Sequence, residues 1–219
     1  MPLKLAVKSF RFLPCGFAPN LSALSKEIEH RMTPVRYTRV AISLHWLIAL
    51  LVAAGFTLGT IMTDMKVSPT KLQFFSWHKW LGVTIFMLAW LRVLWRVTHA
   101  PPPLTVTMPP WQAKAAHYTH FFLYLLLIVV PLSGWLYSSA AGYQTVYLGY
   151  FPIPDLLHKS KALAEVLKEV HDDITTVLAV VVGLHVAAAL KHHFLDHDGL
   201  LRRMWFASAG ADSGKEGAP

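Results

Sequence analysis

The sequence predicts an all-α integral membrane protein, folded as a bundle of four transmembrane helices. Hydrophobic residues make up 54% of the 219-residue chain and charged residues only 15%, which leaves too little polar surface for an ordinary soluble domain. Four apolar stretches have the length of about 20 residues that a helix needs to cross a bilayer. They lack the alternating pattern of membrane β-barrel strands. The predicted spans are residues 41–63, 77–97, 114–138 and 171–191.

The positions of the cations predict how the spans are oriented. Short cytoplasmic loops collect Lys and Arg, and such residues precede the first span, join the second to the third and follow the fourth. The long third connection instead carries more carboxylates than lysines. We therefore expect both termini to lie in the cytoplasm. The flanking cations are Lys26, Arg31, Arg36, Arg39, Arg92, Arg96, Lys114, Lys191, Arg202 and Arg203.

The net charge of +8 has the same explanation, because these cations flank spans and form no separate basic domain. We therefore predict the lipid bilayer as a partner and no nucleic acid. The single cysteine, Cys15, rules out an intramolecular disulfide and any multi-cysteine iron–sulfur or zinc site. Metal chemistry in this chain would have to use histidine.

The chain divides into three predicted segments: a leader over residues 1–35, the transmembrane domain over 36–205 and a disordered tail over 206–219. The apolar pieces of the leader are interrupted by arginine and proline, so a signal peptide is not expected. Met32 is a candidate initiator. The leader is accordingly interpreted either as poorly ordered or as an over-extended start.

Two connections have a distinctive composition. The segment "HAPPPLTVTMPPW", between the second and third spans, contains five prolines and is predicted to cross the cytoplasmic surface as an extended strap. Residues 159–170, before the fourth span, have helix-forming composition and are predicted to continue into that span.

Four histidines lie in the predicted spans or at their edges, at two membrane depths. Because the first and fourth spans run in opposite directions, His45 and His185 share the cytoplasmic level, whereas His78 and His171 share the other level. On the fourth span, fourteen residues place His171 and His185 about 21 Å apart along the helix and on nearly the same face. This geometry predicts two stacked cofactors, each held between the fourth span and a different neighbour.

Paired imidazoles suit haem iron, zinc or copper. Haem is favoured because no cysteine or carboxylate lies near the two histidines of the cytoplasmic level, and because glycines let a flat ring approach the backbone. Two axial histidines leave iron without an open position, so the predicted activity is transmembrane electron transfer. Histidines used for helix packing, and a non-redox metal or proton transporter, are the alternatives. The candidate glycines are Gly55, Gly59, Gly82 and Gly183.

Other residues near the two levels carry weaker signals. Arg92 and Arg96 lie one turn apart, either as membrane anchors or as partners for the carboxylates of an inner haem. His117 and His120 are predicted to be interface residues, with haem-carboxylate binding or proton transfer as alternatives. In the third connection, a further group could attract an anion or could simply form a solvated helix face. That group is His158, Lys159, Lys161 and Lys168.

Residues 36–205 resemble the bacterial cytochrome b561 family, the four-helix di-haem proteins of the inner membrane. The matching motifs are "RYTRVAISLHWL", "WHKWLGVTIFMLAWLRVLWRVTHAPPP", "AAHYTHFFLYLLLIVVPLSGWL" and "VHDDITTVLAVVVGLHVAAALKHHFLDHDGLLRRM". The resemblance implies two haem b groups. His45 and His185 would ligate the cytoplasmic-side haem, and His78 and His171 the periplasmic-side haem.

The resemblance also implies electron exchange with membrane quinone, with ubiquinone as the expected acceptor. Some members are similar to superoxide oxidases, which pass an electron from external superoxide to ubiquinone. Related cytochrome subunits of hydrogenases and formate dehydrogenases accept electrons from a docked redox protein. We therefore expect a superoxide:ubiquinone oxidoreductase, with an electron-transfer subunit for a partner protein as the alternative. The family motifs leave open whether the chain is an enzyme by itself.

Overall fold

The computed structural model describes residues 36–102 and 109–206. Several predictions of the sequence therefore lie outside the described residues. These are the leader with its candidate start at Met32 and its Cys15, the central part of the proline strap, and the tail after residue 206.

Four long helices form the described chain, and each contains one predicted span. They are α1 (Arg39–Asp64), α2 (Pro69–Thr98), α3 (Pro110–Ala141) and α4 (Lys161–Phe194). All four are long and apolar enough to cross a membrane, which confirms the predicted helical membrane bundle. The 26 residues of α1 span about 39 Å and the 34 residues of α4 about 51 Å, more than the hydrocarbon core requires.

The helix boundaries follow from short polar signals in the sequence. Thr38, Ser68 and Ser160 each precede a helix, and the hydroxyl oxygen of each accepts a hydrogen bond from a backbone N–H three residues on. Pro69 occupies the first turn of α2, where a missing N–H costs nothing. Gly142 ends α3 in the left-handed conformation, with φ of 78°. The predicted continuation of residues 159–170 into the fourth span is confirmed, because α4 already begins at Lys161.

A small hairpin covers one face of α2 at the end of the bundle where that helix begins. Strands β1 (Val146–Tyr147) and β2 (Phe151–Pro152) pair in antiparallel fashion. The indole of Trp80 donates to the carbonyl of Val146 at 2.7 Å, and the hydroxyls of Thr84 and Tyr147 lie 3.0 Å apart. These contacts attach the third connection to the second helix.

The helices pack in chain order, α1 on α2, α2 on α3 and α3 on α4. Two apolar clusters form the core. One contains Ile48, Ile85, Ala89 and Leu127, and the other contains Leu126, Val130 and Leu178. No Cα atom of α4 lies within 8 Å of a Cα atom of α1 or α2. Helix α4 is therefore packed closely on α3, while its backbone stays farther from the first two helices.

Large apolar side chains cover the outside of the bundle. Leu50, Met87, Leu94, Val180 and Leu184 are all exposed on helices. A surface of this composition suits lipid, because an apolar face of this extent is rare on soluble monomers.

The end of the described chain returns to the start of α1. A short helix, α5 (Leu200–Arg203), follows α4. The indole of Trp46 donates to the carbonyl of Met204 at 2.8 Å and packs edge-on against Trp205. Lys191, in the last turn of α4, donates to Asp196 in the connection to α5 at 2.5 Å. This hydrogen bond holds the pKa of the Asp196 carboxyl below its usual range. Both ends of the described chain thus lie at the same end of the bundle.

The predicted orientation can be tested by cysteine accessibility in a Cys15→Ser background. Tyr150 is 83% exposed in the hairpin turn, and Leu195 is 71% exposed after α4. We expect a membrane-impermeant maleimide to label Tyr150→Cys in intact spheroplasts and to label Leu195→Cys only after lysis. The opposite labelling pattern would show that the chain is inserted with its termini outside.

Candidate functional site

The structure brings the four histidines of the spans together in two pairs. One pair lies at the end of the bundle that holds both ends of the described chain and is called the inner pair here; it joins His45 of α1 to His185 of α4, with ring centroids 6.2 Å apart and ring planes at 84°. The outer pair joins His78 of α2 to His171 of α4, with centroids 6.3 Å apart and planes at 86°. All four side chains are half-buried. Each pair connects α4 to one of the two helices whose backbones do not approach it closely.

The ring separations match those of two imidazoles that share one metal ion. A metal–imidazole bond is about 2 Å long and a ring nitrogen lies about 1 Å from its centroid, so two axial rings have centroids about 6 Å apart. Both observed separations agree with this value. Among the hydrogen bonds of the described residues, none joins the two rings of either pair. The centroid separations therefore leave room for one metal ion between the two rings of each pair.

Hydrogen bonds fix the orientation of the outer rings. The Nδ1 of His78 donates to the carbonyl of Gly55 at 3.0 Å. The hydroxyl of Ser133 donates to the carbonyl of Val130 at 2.7 Å, so its oxygen accepts from the Nδ1 of His171, 2.9 Å away. Both rings then carry hydrogen on Nδ1 and a free lone pair on Nε2. This is the tautomer that a metal-binding histidine needs, held by the kind of partner that orients such ligands.

Two glycines let the outer rings approach the helix backbones. A Cβ atom added to Gly134 would lie 3.0 Å from the Cε1 of His171, and one added to Gly59 would lie 3.4 Å from the Cε1 of His78. Gly59 is one of the predicted glycines. Gly134, like the neighbouring Ser133, was not predicted from the sequence, although the Ser-Gly pair inside an apolar span was a visible signal. An added Cβ at Gly82 or Gly183 would meet no heavy atom within 4 Å.

Charged and aromatic side chains surround the inner pair. The Nη1 of Arg92 donates to the Nδ1 of His45 at 2.9 Å, and its Nε donates to the hydroxyl of Tyr124 at 3.2 Å. Arg92 is therefore in contact with a histidine of the inner pair. Arg96 lies one turn further along α2 and is exposed.

His120 also belongs to the surroundings of the inner pair. Its ring meets that of His185 with centroids 5.2 Å apart, and its Nδ1 donates to the carbonyl of Ala116 at 2.6 Å. The sequence favoured an interface position for this residue, and its side chain is indeed exposed, but it also touches a histidine of the pair. His117, by contrast, contacts the ring of Tyr118.

The third connection and the start of α4 form two cavities at the outer end of the bundle. One, of about 300 Å³, is lined by the three lysines predicted to attract an anion and by Glu165. The other, of about 360 Å³, is lined by His158 and Asp155. Lys168 also pairs with Asp172 at 3.0 Å. The three lysines are Lys159, Lys161 and Lys168.

Comparison with known proteins shows the family of the chain. The family model described as prokaryotic cytochrome b561 matches residues 36–207. Cytochrome b561 homolog 2 of Escherichia coli (strain K12) is 34% identical over 179 residues, covering 78% of this chain and 92% of the relative. Cytochrome b561 homolog 1 of the same strain is 28% identical over 170 residues, covering 77% and 96%.

A third relative carries a more specific name. The probable superoxide oxidase CybB of Yersinia pestis is 29% identical over 174 residues, covering 77% of this chain and 95% of the relative. The residues matched by the family model include the four helices and both histidine pairs. The chain therefore belongs to the prokaryotic cytochrome b561 family of bacterial multi-pass membrane proteins, which bind haem b and transfer electrons.

Proposed function

We propose that this protein transfers electrons across the bacterial inner membrane, from superoxide at the outer face to ubiquinone, through two haem b groups. Two pairs of imidazoles carry this proposal. The ring centroids are 6.2 Å apart in one pair and 6.3 Å apart in the other, and each pair includes a histidine of α4. Haem at such sites supplies one-electron exchange without an open iron position for oxygen. The proposed axial ligands are His45 and His185 for the inner haem, and His78 and His171 for the outer haem.

The donor set favours haem over a bare metal ion. Each site offers two imidazoles, whereas a structural zinc site needs four protein ligands. Among the described residues, the three side chains that could hold a metal ion unaided lie elsewhere, after the end of α4. A porphyrin supplies the four in-plane nitrogens that the pairs lack. The three clustered side chains are His192, Asp196 and Asp198.

Arg92 has a defined part in this proposal. An imidazole that accepts a hydrogen bond at Nδ1 carries its own hydrogen on Nε2, so ligation of iron through Nε2 requires Arg92 to release His45. The released guanidinium would bind a carboxylate of the inner haem, a pairing for which its geometry is suited. The exposed Arg96, one turn away, is the second candidate for this role.

The outer lysines support superoxide as the electron donor. Superoxide is a small anion, and lysines lining a surface cavity raise the local concentration of anions. Lys168 lies three residues before His171 on α4, and is thus one helical turn from the outer pair. Glu165 and Asp172 offset part of this positive field. The name of one relative, probable superoxide oxidase CybB, is consistent with this donor.

The overall reaction balances with ubiquinone as acceptor. Two superoxide anions each lose one electron and become dioxygen. One ubiquinone takes up the two electrons and two protons and becomes ubiquinol. The reaction needs no further oxidant or reductant.

Removing one ligand from each pair should remove one haem. We expect His185→Ala to lose the inner haem and His171→Ala the outer one, because each iron would keep a single protein ligand. Pyridine haemochrome analysis should give about half of the wild-type haem in each variant. His117→Ala, an exposed histidine of α3, should keep both haems. Full haem occupancy in both pair variants would disprove the ligand assignment.

Removing the hydroxyl of Ser133 should alter the outer site alone. Ser133→Ala leaves the Nδ1–H of His171 without its acceptor, which makes the imidazole a less basic ligand. We expect one of the two haem midpoint potentials to rise and haem affinity at that site to fall by about tenfold or more. Ser76→Ala, which removes an exposed hydroxyl of α2, is the matched control and should change neither. Redox titration monitored by absorbance measures the effect.

Superoxide should reduce the oxidised protein directly. In stopped-flow absorbance with ubiquinone present, we expect rapid haem reduction followed by reoxidation that depends on the quinone. The second-order rate of reduction should fall as ionic strength rises, because salt screens the lysine field. Lys159→Gln combined with Lys161→Gln should lower that rate at low salt.

The same measurement separates the two candidate functions. If dithionite reduces the haems but superoxide does not, the protein is a relay for a partner redox protein such as a hydrogenase or dehydrogenase. Absence of a haem Soret band even after haem supplementation would instead favour a non-redox transporter.

A further inference from the structure

We infer that Arg92 makes the electron step from the outer to the inner site downhill, by giving the haem that His45 and His185 would hold a higher reduction potential than the haem that His78 and His171 would hold. This inference rests on the proposed function and assigns a positioning role to a residue of this chain that acts through its charge.

At the inner pair, the charge of Arg92 is close and has no anionic partner within the described part of the chain. Its guanidinium lies 2.9 Å from the His45 ring, on a half-buried part of α2. The other contacts of this side chain are with Tyr124, through a hydrogen bond and through the face of the ring at 5.6 Å. No ion pair of the described residues includes Arg92. Its positive charge is therefore only weakly compensated by the protein.

The outer pair has different neighbours. The Nδ1 atoms of its rings bond to a carbonyl and to a hydroxyl, both of which are neutral. The nearest cation in sequence, Lys79, extends to the carbonyl of Tyr143 at 2.9 Å. Next to His171, the charge of Asp172 is paired with that of Lys168. Asp173 is a further exposed carboxylate at this level. Among the residues that the structure describes, no uncompensated cation contacts a ring of the outer pair.

This difference has a definite electrostatic sign. Iron between two neutral imidazoles loses one unit of positive charge when it accepts an electron. A fixed cation nearby repels the oxidised form more than the reduced form, and the repulsion is weakly screened inside a membrane. The site beside Arg92 is therefore the easier one to reduce. Both haems carry the same carboxylates, so Arg92 adds one positive charge at the inner site whether it contacts the His45 ring or one of these carboxylates. Electrons that arrive at the outer haem would then move downhill to the inner haem.

The asymmetry has a physical use in an energised membrane. In the predicted orientation, an inward-moving electron travels toward the negative side and works against the membrane potential. The two histidines of α4 are separated by about 21 Å along the helix, a large part of the hydrocarbon thickness. A higher potential at the inner site offsets this opposing field.

Redox titration of the purified full-length protein tests the inference. The wild type should show two midpoint potentials, and the higher one should be the one that disappears in His185→Ala. Arg92→Gln should lower that potential and leave the other unchanged. Arg92→Lys, which keeps the charge, should retain most of the wild-type value. Lys114→Gln removes an exposed cation at the same end of the bundle and should move neither potential.

A second variant covers the case in which Arg92→Gln does not retain the inner haem. Tyr124→Glu keeps Arg92 in place but supplies a carboxylate where the phenol now accepts from its Nε. Pairing of the two charges should lower the same midpoint potential.

The possible outcomes distinguish a failure of the proposed function from a failure of the inference about Arg92. A wild-type protein without two haems would overturn the proposed function and this inference with it. Two haems with the inner potential below the outer one would overturn the inference alone. So would an inner potential that neither Arg92→Gln nor Tyr124→Glu lowers.

Discussion

The arrangement of the bundle depends on how α4 is connected to α1 and α2. The backbone of α4 packs on α3 but stays more than 8 Å, Cα to Cα, from the first two helices. At both levels, an imidazole of α4 reaches one from the other side of this separation. Polar side chains in lipid are expensive unless they are satisfied, and the outer rings are satisfied by Gly55 and Ser133. Helix α3 therefore acts on the outer pair in two ways. It packs against α4, and its Ser133 orients the ring of His171.

The sequence predicted the features that depend on length, hydropathy and chain direction. Four spans follow from apolar length, and the pairing of the histidines follows from the antiparallel course of neighbouring spans. Contacts that depend on the rotation of a helix about its own axis could not be predicted in this way. Ser133 and Gly134 touch His171 because of how α3 is turned, and in an apolar helix the hydropathy pattern does not specify that turn. The same applies to His120, whose contact with His185 requires a particular face of α3.

The two pairs are nearly identical in ring geometry and different in surroundings. Their centroid separations differ by 0.1 Å and their interplanar angles by 2°. The properties of the two sites must therefore differ through their neighbours. The outer rings donate to neutral oxygens, which keeps their Nε2 atoms available, whereas the inner pair has a guanidinium and a third imidazole beside it. Both pairs thus offer two imidazoles, and local charge and hydrogen bonding are what distinguish them.

Topology and electrostatics are connected in this fold. Cations collect at the cytoplasmic ends of membrane helices because of how such chains are inserted, regardless of what the helices carry. When a redox site lies at the same depth, one of these cations also acts on that site. In the described chain Arg92 is in both positions, at the end of a span and against His45. If haem is held at that end, the insertion rule itself supplies a charge that favours its reduction, and additional carboxylates of the protein would be needed to offset that charge.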